Sequence, residues 1–224
     1  MLMSRVLALT VALVLAAPGA QTFAATTSLE PVRVSGPSPF DGCPTKPLPG
    51  EGFFPSAEVE PDVASNPARP GNLIAVWQQD RFAGGGSRGI MAGYTFDAGR
   101  SWGRVPLPFS RCASAGFGYQ RASDPSVSIG PDGTAYVIGL AFDVTSGRDA
   151  VVSAVSRDGG RSWAALRVLA AGTGGGLDKE WVTADPVRPG TAYAAWDDLS
   201  ISVDGKHFRG PALFAKTTNF GRPS

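Results

Sequence analysis

The sequence has 224 residues, with 20 Lys and Arg against 19 Asp and Glu scattered singly along it, which removes the electrostatic case for binding nucleic acid or an anionic membrane. Gly and Pro are abundant, at 29 and 19 residues. No segment pairs a helical apolar period with caps, so short strands and many turns are predicted in place of helices.

Residues 1–24 read as a secretory leader. Arg5 is the only charge before Glu30, Val6 to Ala17 is almost unbroken apolar sequence, and small residues follow at Ala20, Ala24 and Ala25. Cleavage is expected after Ala24, with Ala20 as the second choice. No later segment is apolar and long enough for a membrane helix, so an exported chain without membrane insertion is expected. Its two cysteines, Cys43 and Cys112, are then expected to form a disulfide, two free thiols being the alternative.

A Pro-rich arm is assigned to 25–57, with seven prolines between Pro31 and Pro55. Leu29–Ser35 is its one candidate edge strand. Three repeats follow: 58–110, 120–170 and an incomplete one at 178–224. Each of the first two reads as four strands. In the first these are EPDVAS, LIAVWQQD, GIMAGYTF and RVPLPF; in the second, DPSVSIG, TAYVIGLAF, AVVSAVSR and ALRVLA. The third offers EWVTAD, TAYAAWDD and PALFAKTT, with the insertion LSISVDGKHFRG before its third strand. Gly172–Gly176 is read as a flexible link between repeats.

One turn motif holds these repeats in phase. Thr95–Trp102 is TFDAGRSW, Ser156–Trp163 is SRDGGRSW, and Thr217–Ser224 is TTNFGRPS. Asp97, Asp158 and Asn219 are each 61 residues apart. Asp can hold a tight turn by accepting backbone N–H groups, Gly supplies a left-handed residue, and Trp supplies surface to bury. The structural residues of the motif are thus Thr95, Asp97, Gly99, Ser101 and Trp102, then Ser156, Asp158, Gly160, Ser162 and Trp163. Four antiparallel strands per repeat predict an all-β fold, a partial β-propeller of about three blades. A ring of this kind needs ~4–8 blades, so the missing blades are expected from the rest of a longer chain.

TFDAGRSW and SRDGGRSW resemble Asp-box (BNR) repeats. The surrounding sequence from about Glu58 onward resembles bacterial secreted sialidase-like (exo-α-sialidase-like) propellers. That resemblance implies a glycosidase with an arginine triad, an Asp acid/base and a Tyr nucleophile activated by Glu. The family motif Phe-Arg-Ile-Pro falls on Glu58, Val59, Glu60 and Pro61, where only Pro61 matches. Its Tyr-Asp-x-Arg is approximated by Gln79, Asp80 and Arg81, and the loop Phe82–Gly89 lacks an acid. The chain as given is therefore expected to be inactive by itself.

Carboxylates at equivalent places are the remaining candidates, because glycoside hydrolysis generally uses two of them. Glu60, Asp124 and Glu180, with Asp178 beside it, open the innermost strands; Asp80, Asp197 and Asp198 end the second strands. Asp80, Arg81, Asp124 and Glu180 are the catalytic candidates. Glu60, Arg121, Trp77, Trp196 and Asp197 are the ligand-binding candidates, with Trp181 a further aromatic, and each has a structural alternative in strand-start bonding, ion pairing or core packing. His207 is the only histidine and is read as an exposed loop residue. No cofactor or metal site is expected, since zinc spacing, phosphate loop and nucleophile elbow are all missing. Two functions stand: a secreted propeller whose full-length form recognises or hydrolyses extracellular glycans or glycoproteins, or a non-catalytic propeller serving as a binding or structural module.

Overall fold

The repeats fold as strands because their apolar runs are rich in β-branched and aromatic residues and are broken by Gly- and Pro-containing turns. A computed structural model describes residues 30–201 and 205–221 of the chain. The expected leader and its cleavage site lie outside the described residues. Blade 1 comprises β1 (Phe53–Ser65), β2 (Leu73–Phe82), β3 (Ser87–Thr95) and β4 (Gly103–Pro106). Blade 2 comprises β5 (Arg121–Ile129), β6 (Ala135–Phe142), β7 (Arg148–Ser156) and β8 (Ala164–Thr173). Blade 3 has β9 (Leu177–Ala184) and β10 (Ala192–Asp198), a small hairpin of β11 (Ser200–Ile201) and β12 (Phe208–Arg209), and β13 (Ala212–Thr217).

Within each blade, successive strands pair antiparallel, as in β1–β2–β3–β4 and β5–β6–β7–β8, while β10 sits between β9 and β13. Among the described residues, Ser87–Ala122 is the one ladder pair between the strands of blades 1 and 2. Otherwise the blades meet face to face. Ile74, Val76, Ile90 and Ala92 of blade 1 pack with Val127, Ile129, Val137 and Ala154 of blade 2. Tyr136, Ile138, Val151 and Val155 of blade 2 pack with Val182, Ala184, Ala192 and Ala194 of blade 3. The described chain is an all-β, partial β-propeller, with no helix among the described residues.

Side chains of the inner strands stitch one blade to the next. Asp62 Oδ2 accepts the Val127 N–H at 2.9 Å, Ser126 Oγ accepts that of Val182 at 3.4 Å, and Ser128 Oγ accepts that of Ala184 at 2.9 Å. These bonds satisfy backbone donors that the blade's own ladder leaves open.

The turn motif repeats in atomic detail. Ser101 donates to Asp97 from its backbone N–H at 2.9 Å and from Oγ at 2.5 Å; Ser162 does the same to Asp158 at 3.0 and 2.5 Å. Thr95 Oγ1 and Ser156 Oγ accept the N–H of Gly99 and Gly160, at 3.1 and 2.9 Å. Two successive left-handed residues close each turn: Ala98 and Gly99, Gly159 and Gly160, Phe220 and Gly221. The third copy keeps this geometry despite its divergent sequence, with Thr217 Oγ1 donating to Asn219 Oδ1 at 3.0 Å and accepting the Gly221 N–H at 2.9 Å. Neighbouring turns also touch. Asn72 Nδ2 donates to Thr95 O and Gly159 O, and the Arg161 guanidinium lies 3.8 Å from the Phe96 ring centre.

The arm departs most from expectation. Residues 30–35 form no strand, and β1 begins at Phe53, inside the segment assigned to the arm. The prolines deny the arm a ladder of its own, so it packs by side chains. Val34, Phe40 and Cys43 cover Ala75, Trp77 and Met91 on the face of blade 1 turned away from blade 2. The Cys43–Cys112 disulfide fixes it there, with a Cα–Cα separation of 5.1 Å. Of the expected link Gly172–Gly176, the first residue belongs to β8, as does Thr173, and only Gly174–Gly176 connect the blades.

Candidate functional site

Each inner strand carries a left-handed non-glycine residue beside a register shift at an equivalent place, Glu60 (φ 53°), Asp124 (φ 48°) and Lys179 (φ 55°), and β1 has a second one at Ser56 (φ 59°). Such residues are uncommon outside glycine, and bulges re-aim side chains at sheet edges and sites. The turn that follows fixes the alignment: the Asn66, Gly130 and Asp185 N–H groups bond Asn72, Thr134 and Thr191 O. Counting back from these residues makes Lys179, not Glu180, the equivalent of Glu60 and Asp124. The sequence reading was one residue out because it matched acid to acid.

The bulges bring together a chain of charged groups across three blades. Arg81 Nη1 lies 3.8 Å from Glu60 Oε1, and Gln78 Nε2 donates to Glu60 Oε2. Glu60 faces Asp124 across the junction of blades 1 and 2, and each carboxyl moves the titration of the other. Ser123 Oγ donates to Asp124 Oδ1 at 2.5 Å, and Lys179 Nζ lies 3.6 Å from Asp124 Oδ2. Burial and the Asp124 carboxylate push the Glu60 carboxyl above its usual range. Burial works in the opposite sense from Ser123, Glu60 and Lys179 at Asp124, but these partners prevail and hold it below.

Glu180 stands beside this chain but differs in kind. It is 2% exposed, neither carboxyl oxygen has a hydrogen-bond partner, and burial, reinforced by Asp124 and Asp178, pushes it up to about 9. At neutral pH it is a neutral acid.

Most of the other candidates are used internally. Asp80 is fully buried; it accepts Ser38 Oγ at 2.7 Å and the Ser56 N–H at 2.8 Å, with Arg88 at 3.7 Å. Arg81 is shared between Glu60 and Gln78 Oε1, the latter at 2.7 Å. Arg121, expected near a ligand, is fully buried, closed on Glu51 by two bonds and stacked 4.0 Å from the Phe82 ring centre. Trp77 and Trp196, considered as sugar platforms, are core residues at 4% and 6% exposure, while Trp181 is the exposed one. Asp197 is half-buried opposite Asp178 in the β9–β10 register, and Asp198 and His207 are exposed. Sequence reasoning missed Glu51, Gln78, Ser123 and Lys179; only a repeat alignment anchored on the turn after each inner strand would have found Lys179. Among the described residues, no group of three or more His, Cys, Asp or Glu side chains is placed to hold a metal.

Retaining glycosidases hold their two carboxyls about 5–5.5 Å apart and inverting ones about 6.5–9.5 Å. Glu60 and Asp124 lie on adjacent inner strands, each within reach of the other's charge. Glu180 and Asp124, a neutral acid and a carboxylate on adjacent blades, are the other acid–base combination.

No protein-family model matches the sequence, and no curated protein matches it. Solved structures do. An α-L-arabinanase of Penicillium chrysogenum complexed with arabinobiose aligns with a TM-score of 0.51 at 16% identity, over 73% of this chain and 46% of that one. An α-L-arabinofuranosidase of Fusarium graminearum in complex with an iminosugar inhibitor aligns with a TM-score of 0.50 at 14% identity, over 76% and 49%. The chain thus spans about half the length of the structures it resembles, and at these identities the likeness is one of fold.

Proposed function

We propose that the protein is part of an exported propeller that recognises extracellular glycans where Glu60, Asp124, Lys179 and Glu180 converge. The observation that carries this reading is the triple bulge, which turns one charged residue of each inner strand toward its neighbours. Vicinal hydroxyls suit such a set, because Asp124 accepts and Lys179 donates. The disulfide and the leader-like N-terminus support export, and the Asp-box resemblance and the arabinose-acting fold neighbours support a glycan as ligand.

A panel of arabino-oligosaccharides, sialosides and other glycans tests this by calorimetry. At least one should bind, and Asp124→Asn or Lys179→Ala should weaken it at least tenfold. If no glycan binds, or if both variants bind as the parent does, the proposal is wrong. Hydrolysis would use Glu180 as acid and Asp124 as base or nucleophile, and is tested with fluorogenic glycosides. The non-catalytic reading is favoured by one observation: Arg121 and Asp80 are already spent on internal bonds.

A further inference from the structure

Asp149, the second residue of β7, is 2% exposed. Its Oδ2 accepts the Leu177 N–H at 2.9 Å, while Oδ1 has neither exposed surface nor a hydrogen-bond partner. A buried acceptor in that state is costly unless a donor or a cation meets it. Elsewhere the chain supplies one. Asp143, at the other end of the β6–β7 loop, is closed on Arg148 at 2.6 Å, with Arg111 at 3.5 Å. In blade 1 the place of Asp149, seven residues before the turn motif begins, belongs to Arg88, which meets Asp80 at 3.7 Å. Asp149 has no such counter-charge among the described residues.

Asp149 lines a cavity of about 660 Å³ between the β8–β9 link and the end of β10. The walls include Gly172–Gly176, Asp198, Ser200 and Phe208, and none of the lining residues is Lys, Arg or His. Oxygen atoms turn towards the glycines here, where no side chain intervenes. A Cβ on Gly172 would lie 2.6 Å from Asp149 Oδ1; one on Gly176 would lie 3.2 Å from Asp198 Oδ1 and run into Leu199 O. Gly174 and Gly175 are left-handed (φ 137° and 70°), and among the described residues their carbonyls accept no backbone hydrogen bond outside the sheets.

We infer that this cavity binds a hard divalent cation of the calcium type, held by Asp149 and Asp198 with carbonyls of the glycine link and of Leu199. Calcium takes about six to eight oxygens at about 2.3–2.6 Å, from carboxylates, carbonyls and water alike. Two acids therefore suffice where carbonyls and water complete the shell, although no three acidic side chains converge among the described residues. Distance favours a cation over water at Asp149 Oδ1. A hydrogen-bonded water stands off at about 2.7–3.0 Å and has no room at an oxygen without exposed surface. No thiolate or imidazole lines the cavity, which sets zinc aside, and successive glycines do not impose the near-ideal octahedron that magnesium demands. The ion pins the carboxylate that holds Leu177, and with it the start of the strand carrying Lys179 and Glu180.

The test uses the whole chain, stripped of metal with a chelator that is then removed, and calcium chloride alone as ligand. Calorimetry should find one calcium per chain with a dissociation constant of about 10⁻⁴–10⁻³ M, the range of extracellular calcium modules. At ten times that concentration the thermal midpoint should rise by about 3–6 °C, whereas equal magnesium should leave it within about 1 °C. Amide exchange at Gly176 and Leu177 should slow when calcium is added. Asp149→Asn keeps an oxygen for the Leu177 N–H, and Asp198 is exposed. Asp149→Asn and Asp198→Asn should each weaken binding at least tenfold, and Asp41→Asn, on an exposed residue of the arm, should not. If Asp149→Asn does not fold, Asp198→Asn carries the comparison. No saturable calcium binding, an equal effect of magnesium, or unchanged affinity in Asp198→Asn overturns the inference. So does protection of Leu177 by glucosamine and not by calcium, which would place an ammonium group in the cavity. The inference stands apart from the glycan site: calcium binding without glycan binding would sustain it, and glycan binding without calcium binding would not.

Discussion

Glu51 and Arg121 join the arm's end to the first residue of blade 2 through a two-pronged ion pair, Nη1 to Oε1 at 2.9 Å and Nη2 to Oε2 at 2.5 Å. Arg121 also donates to Gly85 O at 2.8 Å, so one fully buried guanidinium ties arm, blade 1 loop and blade 2 together. Removing one member of such a pair strands the other in low dielectric, and Arg121→Ala should cost about 3–5 kcal/mol by urea unfolding at neutral pH. Bonding to Arg121 lowers the Glu51 carboxyl from 4.5 to about 2. Its contribution is fully present above pH 4.5 and is lost as pH falls towards 2. Glu51→Gln should therefore be destabilised at neutral pH and lose part of the parent's dependence on pH over that acid range; an unchanged dependence would remove the linkage.

The disulfide makes a separate prediction about the arm. Cys43 and Cys112 are 69 residues apart. Closing a loop of that length restricts the unfolded chain by about 4 kcal/mol on the chain-entropy account. The Cys43→Ser, Cys112→Ser protein should lose stability of that order. The loss should appear first where the arm sits, as faster amide exchange at Ala75 and Trp77, with β6 and β7 of blade 2 affected least. Uniform acceleration across all blades would mean that the arm is no local cap.

Legibility followed the repeat. The main strands of each blade, their order, the hairpin turns and the cysteine pair could be read because turn chemistry and alternation are local properties, whereas the arm's candidate strand did not form and the β11–β12 hairpin was not foreseen. The packing of Trp77 and Trp196 could not, since an aromatic residue at a strand end looks the same whether an arm or a neighbouring blade covers it. The ion pair was hidden for another reason: Glu51 and Arg121 are distant in sequence and belong to different elements. The site was half legible. Glu60 and Asp124 were found from their place in the repeat, but Lys179 was obscured because the third bulge carries a base in place of an acid. The turn at Thr217 carries Asn219 where the other two copies carry Asp, yet an amide oxygen still takes the Thr217 Oγ1 hydrogen bond.

Close packing at the turn motif distinguishes glycines that share a backbone conformation. Gly160 (φ 95°) is wedged so that a Cβ would lie 3.0 Å from both Ile74 and Tyr94 of blade 1. Gly42 (φ 80°) has nothing within 4 Å. Gly42→Ala should cost about 1 kcal/mol, the left-handed backbone penalty alone. Gly160→Ala adds a clash across the blade 1–blade 2 interface and should cost about 2–4 kcal/mol. Equal losses in thermal or urea unfolding would show that the turn is not an interface element.

Glu180 provides the alkaline counterpart to Glu51. Its carboxyl rises from the ordinary 4.5 to about 9, chiefly through burial, with Asp124 and Asp178 adding repulsion. Between these values the unfolded chain releases the proton and the folded chain keeps it, so folding takes up a proton and stability falls as pH rises. The contribution is fully present below pH 4.5 and exhausted above about 9. Gln in place of Glu180 keeps the shape and removes the titration. Glu180→Gln should be more stable than the parent at pH 7 by on the order of 2 kcal/mol, with the gap closing towards pH 4.5 and widening towards 9. Unfolding series at several pH values read this directly, and parallel curves for parent and variant would show that Glu180 does not hold its proton. The same variant should abolish any hydrolysis that draws its acid from Glu180.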